Sequence, residues 1–168
     1  MIQWMYFPQS TKLPKHFQYV IDTFERNDNK ISSDIFQLKS DDVLAVVAED
    51  LDRYGYKVER SKKKCDLIRV PVMYGINGSE ELSFEVDAYH PEEKTVIEVE
   101  AGRGFTNYQF LKDFYESCMM QEVDYFCVAV RNDYKGHKDF ESVRHFFSAL
   151  YACQRMEIPL RGILVIGY

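Results

Sequence analysis

The sequence predicts an α/β fold in which an antiparallel meander is followed by the order α-β-α-β within one mixed sheet. Apolar residues at helical spacing mark four amphipathic helices, and stretches rich in β-branched and aromatic residues lie between the second and the third. Two uninterrupted apolar strands follow the last two helices. Apolar strands that alternate with helices are typical of a sheet covered on both faces, so we expect helices on both sides of the sheet.

The first two helices are predicted close to the N-terminus. Residues 14–27 form the first, because apolar side chains recur there at positions i, i+3, i+4 and i+7. These are Phe17, Val20, Ile21 and Phe24. We expect the turn-forming run Asn27–Asn29 to end this helix. The second helix is predicted to begin after Ser40, a favourable N-cap, and to run to Gly55.

Three strands are predicted in the middle of the chain, over residues 67–75, 82–90 and 95–100. Asn77-Gly78 lies between the first two strands and is a strong hairpin signal, because both residues accept the backbone angles of a tight turn. The three strands are therefore expected to form an antiparallel meander.

The remaining elements alternate between helix and strand. Helical spacing predicts helices over residues 108–118 and 140–151, and continuous apolar runs predict strands at 125–130 and 163–166. The predicted order along the chain is therefore α-α-β-β-β-α-β-α-β, with no strand before the first helix.

The composition is that of one globular domain over residues 1–168. With 168 residues, of which 46% are hydrophobic and 29% charged, the chain is long enough to bury its own core. We expect an N-terminal helical segment at about 12–38 and a core at about 40–168. No long apolar run or signal-peptide pattern occurs, which predicts a cytoplasmic protein without membrane contact. The four cysteines show no CxxC pair and are expected to be reduced core residues.

The charge balance argues against a simple electrostatic nucleic-acid binder. The formal net charge is −6, whereas such binders carry a basic excess that neutralises phosphates. One region departs from this average, since the segment from Lys57 to Arg69 holds six basic residues against two acidic ones. This run is either a solvated loop or an edge that follows a phosphate backbone.

The second and third predicted strands carry a set of facing acids. If residues 91–94 connect these strands, Asp87 lies directly opposite Glu98, and Glu85 lies opposite Glu100. Facing residues share a sheet face, as do residues two apart, so all four carboxylates are expected to project from one side.

Like charges in such a position destabilise a sheet unless something compensates for them. Raised carboxylate pKa values would do so, and so would a hard divalent cation bound by oxygen ligands. The alternative is that these acids form the solvated face of an antiparallel hairpin. Two features favour a site: no Lys or Arg interleaves with the acids, and the last strand leads into a helical crossover, where a doubly covered sheet has little solvated face.

These residues resemble a known family. Asp87, ten residues, and then Glu98-Val99-Glu100 are similar to the D-x(n)-(D/E)-x-K core of the PD-(D/E)xK nuclease superfamily, in the form where Glu replaces Lys, as in some type II restriction endonucleases. The preceding helix, the meander and the following α-β-α elements also match the common core of that superfamily, so the resemblance implies a single domain with a restriction-endonuclease-like fold. The resemblance covers most of residues 40–168. Val86 stands where many members have Pro, and Glu100 where most have Lys.

The resemblance implies a metal-dependent reaction. Asp87, Glu98 and the backbone carbonyl of Val99 would hold one or two Mg²⁺ (or Mn²⁺) ions against a scissile phosphate. Glu100 would act as a general base or as a ligand of a second metal ion. Because an ionised Glu cannot donate to the phosphate, a nearby cation is needed, and Arg103 is the candidate phosphate contact. The alternative interpretation is that Arg103 is a loop residue exposed to solvent.

The resemblance also implies a supporting acid from the helix before the meander. On a helical wheel, Asp50 falls inside the apolar arc of the second predicted helix, whereas Glu49 points away from it. Asp50 is therefore the candidate, with a plain salt bridge or an exposed helix edge as the alternative.

Together these features predict a Mg²⁺-dependent endonuclease that hydrolyses phosphodiester bonds, with DNA favoured over RNA. A homodimer is expected, because cleavage of both strands needs two sites. The first alternative is a nuclease fold that no longer turns over and serves as a nucleic-acid or protein interaction module, as the replaced lysine suggests. The second alternative is a small-molecule phosphate enzyme that uses Arg103 and the glycine-containing loop at 102–107.

Overall fold

The computed structural model describes residues 1–102, 108–133 and 135–168. A six-stranded mixed sheet and a two-stranded antiparallel sheet are combined with helices, which confirms the mixed α/β fold and is compatible with a restriction-endonuclease-like fold. The elements are, in chain order, β1 (Gln3–Phe7), α1 (Lys15–Ile31), α2 (Ser40–Arg53), β2 (Lys57–Val58), β3 (Ile68–Tyr74), β4 (Glu80–Val86), β5 (Ala88–His90), β6 (Thr95–Val99), α3 (Gln109–Met119), β7 (Tyr125–Val130), α4 (Asp139–Cys153) and β8 (Gly162–Gly167).

The large sheet has a parallel centre and antiparallel edges. Its strand order is β1-β8-β7-β6-β5-β2. Strands β6, β7 and β8 pair in parallel, while β1 pairs antiparallel with β8, and β5 pairs antiparallel with both β6 and β2. The parallel strands are connected through α3 and α4, as the α-β-α-β order predicts.

Helices cover both faces of this sheet, as predicted. One core lies under α1 and α2, and the other lies under α3 and α4. Within β6, the side chains alternate between these cores, with Ile97 and Val99 in the first and Val96 in the second. Because residues two apart share a sheet face, Glu98 lies on the α3 and α4 side.

The predicted meander is divided between two sheets. Strands β3 and β4 form the expected hairpin, and its turn places Asn77 and Gly78 in left-handed backbone conformations, with φ of 58° and 74°. The prediction of one continuous strand over residues 82–90 is wrong, because it is interrupted at Asp87. Val86 packs in the core below α3 and α4, whereas Ala88 packs in the core below α1 and α2. A continuous strand would place both on one face.

Two strands and one helix end were missed by the sequence patterns. Strand β1 is stabilised by its pairing with β8 and buries only its last residues, so its local pattern is weak. Strand β2 has only two residues. Helix α1 runs through Asn27 to Ile31, because the Asn27 side chain is buried and donates hydrogen bonds to the carbonyl of Thr23 and to Asp50 instead of forming a turn.

All four cysteines are free. Cys127 is a buried core residue as expected, whereas Cys65 and Cys153 are exposed, so the expectation of core packing is wrong for these two. Among the described residues, no helix combines the length and the apolar character needed to cross a membrane.

Candidate active site

A cleft of about 200 Å³ opens where the chain leaves the end of β6. Strands β4 and β6, the start of α2 and the start of α3 contribute to its walls. Carboxylates outnumber cations in the described lining. The acids are Asp41, Glu59, Glu85, Asp87, Glu98, Glu100 and Asp113, and the cations are Lys62 and Lys112. The cleft therefore has a strong negative potential that attracts cations.

The predicted pair of facing acids meets in this cleft. Strands β5 and β6 pair from Ala88 with Ile97 to His90 with Thr95, which is the register that the sequence predicts. Asp87 immediately precedes β5, Glu98 is the next residue of β6 after Ile97, and both line the cleft. The register thus explains why these two side chains lie together.

Backbone contacts fix Asp87 at the break between β4 and β5. Its Oδ2 accepts a hydrogen bond of 2.8 Å from the backbone N–H of Val99. Its carbonyl accepts another, also of 2.8 Å, from the backbone N–H of Glu59. Oδ1 accepts no hydrogen bond from the described residues. The carboxylate is therefore held by one oxygen while the other stays available in the cleft.

Glu98 makes no hydrogen bond or ion pair within the described part of the chain. Burial raises its pKa well above the ordinary value, and the charges of Asp87, Asp113 and Glu100 raise it further, while Lys112 opposes them. For Asp87, burial raises the pKa to about 6, although the hydrogen bond from Val99 and the charge of Lys62 act in the other direction. These carboxyl groups therefore bind a proton more readily than ordinary acids do.

The backbone of Glu100 is anchored on both sides. Its N–H donates to the carbonyl of Ala129 at 2.8 Å, and its carbonyl accepts a hydrogen bond of 2.9 Å from the hydroxyl of the buried Tyr168. Burial, the charge of Asp113 and a hydrogen bond between the two side chains raise the pKa of Glu100 to about 8. Glu100 thus belongs to the same electrostatic group as Glu98.

Helix α3 adds two residues that the sequence analysis did not select. Asp113 is only 6% exposed and lies on the buried stripe of α3 together with Phe110 and Phe114. Lys112 lies at the cleft, with its Nζ 3.0 Å from Glu116 and 3.7 Å from Asp113. The signal for Asp113 was present in the sequence, because an acid at a core-facing helical position is uncommon.

The basic run between Lys57 and Arg69 serves more than one role. Lys62 is turned into the cleft, where its Nζ lies 2.6 Å from the buried Glu59 and 3.7 Å from Asp41. Glu59 and Lys62 were not selected as site residues from the sequence, because their contact depends on how this loop folds over α2. Lys63 and Lys64, next in the chain, are exposed. The run is therefore partly a wall of the cleft and partly a cationic edge beside it.

Asp50, the predicted supporting acid, does not line the cleft. Helix α2 packs on the other face of the sheet, and among its residues the cleft lining includes Ser40 and Asp41, at its start. Asp50 lies further along the helix, where its Oδ1 accepts a 2.9 Å bond from Arg53 and its Oδ2 accepts a 3.2 Å bond from Asn27. Its position in the apolar arc thus reflects packing against α1.

Two further predicted residues are Glu85, which lies on the rim of the cleft, and Arg103, which the structure does not describe. Glu85 does not face Glu100 in a ladder, because β4 belongs to the smaller sheet; it pairs with Arg69 at 2.9 Å on the rim of the cleft. Arg103 lies outside the described residues, as do residues 104–107.

Within the described residues, no three His, Cys, Asp or Glu side chains converge closely enough to form a complete cation cage. Magnesium sites are usually not such cages, because Mg²⁺ retains several waters and takes one or two carboxylates together with substrate phosphates. The oxygen donors of this cleft fit a hard cation of that kind. A larger depression of about 830 Å³ lies elsewhere, near the C-terminal end of α4, and the only acid in its described lining is Glu157.

The mixed sheet, with carboxylates at the end of a central strand, is compatible with the restriction-endonuclease-like class of α/β proteins. Residues 5–168 match the model of a family described as "Putative halobacteria restriction endonuclease". The chain belongs to this family, which places it among the nucleases that bind nucleic acid. No curated protein matches the chain.

Proposed function

We propose that this protein is a metal-dependent endonuclease that hydrolyses phosphodiester bonds in DNA and that its site is a D…ExE variant of the PD-(D/E)xK type. One observation carries the proposal: Asp87 and Glu98 line the same cleft, in which carboxylates outnumber cations, and Glu98 makes no hydrogen bond or ion pair with the described residues. Partly buried acids that outnumber the cations around them are costly for folding, so a function that uses a bound cation explains their presence.

The residues that would hold Mg²⁺, or Mn²⁺ in its place, are Asp87, Glu98 and the backbone carbonyl of Val99. When bound, such a cation stabilises developing negative charge on a phosphate and lowers the pKa of a coordinated water. The hydrogen bond from Val99 to Asp87 keeps the two acidic positions in a fixed relation before any ligand arrives. This preorganisation lowers the cost of binding.

Glu100 would hold or remove a proton at the attacking water, or bind a second cation. Its backbone is fixed by Ala129 and Tyr168, so its carboxyl group is positioned by the sheet and not by a loop. Arg103 is proposed to contact the phosphate from the segment that follows β6. The exposed Lys63 and Lys64 would meet the DNA backbone at the edge of the cleft.

Incubation of supercoiled plasmid with the purified protein tests the proposal. We expect nicked and linear products with Mg²⁺ or Mn²⁺, none in chelator, and at least about a 100-fold lower rate for Asp87→Asn, because a ligand and a fixed charge are altered together. Cleavage by the wild type in chelator, or by Asp87→Asn at the wild-type rate, would contradict it.

The presence of Glu100 where most members have Lys favours a second candidate function. In it, the nuclease fold is retained as a nucleic-acid or protein interaction module. This candidate predicts DNA binding that is indifferent to divalent cations and no cleavage with any of them. A gel-shift titration with and without Mg²⁺, run beside the plasmid assay, separates the two.

A homodimer is part of the proposal, since cleavage of both DNA strands needs two sites. Light scattering on the purified protein should give twice the mass of the 19.9 kDa chain. A monomeric mass that persists in the presence of DNA would contradict this part alone.

A further inference from the structure

A side pocket of about 280 Å³ opens beside the acidic cleft, between the start of α2 and the loop at residues 59–62. Leu44, which is only 3% exposed, and Ala45 give it an apolar wall. The rest of its described lining is polar and consists of Asp41, Glu59, Arg60, Ser61 and Lys62. An apolar wall combined with a few polar groups is typical of a site for a small organic group, not for an ion alone.

The side pocket and the cleft share part of their walls. Asp41, Glu59 and Lys62 line both of them. Two other residues of the cleft, Glu85 and Lys112, are shared with an open groove of about 390 Å³ between β4 and α3. The cleft therefore continues into the side pocket through one set of residues and into the groove through another, which leaves a path for a nucleic-acid strand.

The side pocket is held in a fixed position relative to Asp87. The backbone N–H of Glu59 donates to the carbonyl of Asp87 at 2.8 Å, and an ion pair joins Arg60 to Asp52 of α2. These two contacts anchor the loop at residues 59–62 to the strand side and to the helix side of the pocket. A pocket that is formed before its ligand arrives loses less free energy to ordering when the ligand binds.

The lining of the side pocket fits a nucleobase better than a phosphate. Its two acids, Asp41 and Glu59, would repel a phosphate group, but their oxygens can accept hydrogen bonds from the exocyclic amino group of a base. The ammonium group of Lys62 is a donor, and Leu44 offers an apolar surface to a ring. Proteins hold a base that has left its stack by these means, with apolar contact to the ring and hydrogen bonds along its edge.

We infer that the side pocket receives one nucleobase of the strand being cut, next to the phosphate that lies at Asp87 and Glu98. This inference rests on the proposed function, because the cleft positions that strand. A base in the side pocket cannot be stacked and paired at the same time. Extrusion of a paired base costs free energy that an unpaired base does not require, so the preferred substrate is DNA with an unpaired base beside the cleavage position.

Binding of three labelled DNA duplexes, followed by fluorescence anisotropy, tests the inference. The first duplex is fully paired, the second has one unpaired adenosine, and the third has an abasic residue in place of that adenosine. Ca²⁺ replaces Mg²⁺ as the cation with oxygen ligands, and a gel checks that the DNA stays intact. We expect the wild type to bind the second duplex at least about tenfold more tightly than the first and to lose this preference with the third, which offers no base to the pocket.

A variant that narrows the side pocket should have the same effect as the abasic residue. Ala45→Phe adds a ring at an exposed position of α2, so the fold is expected to be retained, and a thermal melt checks this. It should abolish the preference for the unpaired adenosine. Ala152→Phe is the matched control and should keep that preference, because Ala152 is also an exposed helical alanine but lies on α4, outside the described lining of the side pocket and of the cleft.

Equal affinity of the wild type for the paired and the unpaired duplex would overturn the inference. A preference that persists with the abasic duplex, or in Ala45→Phe, would overturn it as well. In each of these cases, cleavage of supercoiled plasmid in Mg²⁺ would leave the proposed function standing. A wild type that binds none of the duplexes and leaves the plasmid intact would contradict both.

Discussion

Asp50 is a partly buried acid on α2, and Asp113 is a buried acid on α3, on the opposite face of the sheet; their hydrogen-bond partners differ. Asp50 of α2 receives hydrogen bonds from Asn27 and Arg53, so both of its oxygens are satisfied by neighbouring side chains. Asp113 of α3 has one oxygen without such a partner and faces another carboxyl group. An acid in an apolar arc is therefore not evidence for a site by itself. The supply of donors from adjacent elements distinguishes the two cases.

The same contrast holds for the surroundings of each acid. Around Asp50, α1 contributes Asn27 and Arg26, the latter with its Nη2 3.8 Å from Oδ2, and α2 contributes Arg53. Around Asp113, Lys62 and Lys112 face a larger number of acids in the described lining of the cleft. We interpret the first group as structural and the second as the binding site for cations and substrate.

The largest expected effect is on cleavage. Glu98→Gln should lower the initial rate of plasmid nicking at least about 100-fold, because it removes a charged cation ligand. Asp50→Asn should leave the rate within about twofold, since Asp50 does not belong to the described lining of the cleft. Equal losses of cleavage rate in the two variants would contradict the distinction between the acids of the cleft and Asp50.

The next expected effect is a dependence of stability on pH. Carboxyl groups in the cleft have folded-state pKa values above their ordinary values of 3.8 and 4.5, with Asp87 at about 6 and Glu100 at about 8. At pH values between the ordinary and the raised pKa values, these carboxyl groups bind more protons in the folded state than in the unfolded state. The free energy of unfolding should therefore fall as the pH rises from about 4.5 to 8. The expected loss is about 2 kcal/mol or more.

Chemical denaturation in chelator at pH 5 and at pH 8 measures this loss, and Mg²⁺ should restore stability mainly at pH 8, where the carboxyl groups release their protons to the cation. Glu98→Gln should flatten the pH profile, because burial and the neighbouring acids raise the pKa of Glu98 well above its ordinary value. A wild-type stability that rises over this pH range would contradict the interpretation of the cleft.

A smaller effect concerns stability, for which the Asp50 and Glu98 variants should change the free energy of unfolding in opposite directions. Asp50→Asn should lower the free energy of unfolding by about 1 kcal/mol, because an ion pair and a hydrogen bond are weakened. In chelator at pH 8, Glu98→Gln should raise it, because a partly buried charge beside other acids is removed. Urea titrations of the two variants give both values, and the same sign in both would contradict the comparison.

The smallest expected effect concerns DNA affinity. Lys63→Ala and Lys64→Ala should each reduce the slope of log affinity against log salt by about one and weaken binding at low salt by a few fold, because each removes one phosphate contact. Lys12→Ala is the matched control, since Lys12 is also exposed but precedes α1, outside the described lining of the cleft. An unchanged slope in both lysine variants would show that neither Lys63 nor Lys64 contacts the DNA backbone.

Some features of the site could be predicted from the sequence, because they follow from local pairing. Alternation and the short connection at residues 91–94 fix the register of β5 and β6, and that register brings Asp87 beside Glu98. The helices, the β3–β4 turn and the parallel strands have equally local signals.

The features that could not be predicted depend on contacts between distant elements. The break at Asp87 arises because Val86 and Ala88 pack in different cores. Asp113 reaches the cleft because α3 packs on the face of β6 that carries Glu98, which no local pattern reveals. Asp50 and Asp113 both lie in the apolar arc of a helix, so the sequence pattern does not distinguish them. The difference is seen only in the folded structure, where Asn27 and Arg53 donate hydrogen bonds to Asp50.

Diffraction from crystals soaked in Mn²⁺, collected at the manganese absorption edge, tests the central claim most directly. We expect an anomalous peak in the cleft, in contact with the carboxylates of Asp87 and Glu98 and with the carbonyl of Val99. A cleft without a peak at saturating Mn²⁺, or a peak that contacts neither carboxylate, would contradict the claim that these two acids form a cation site.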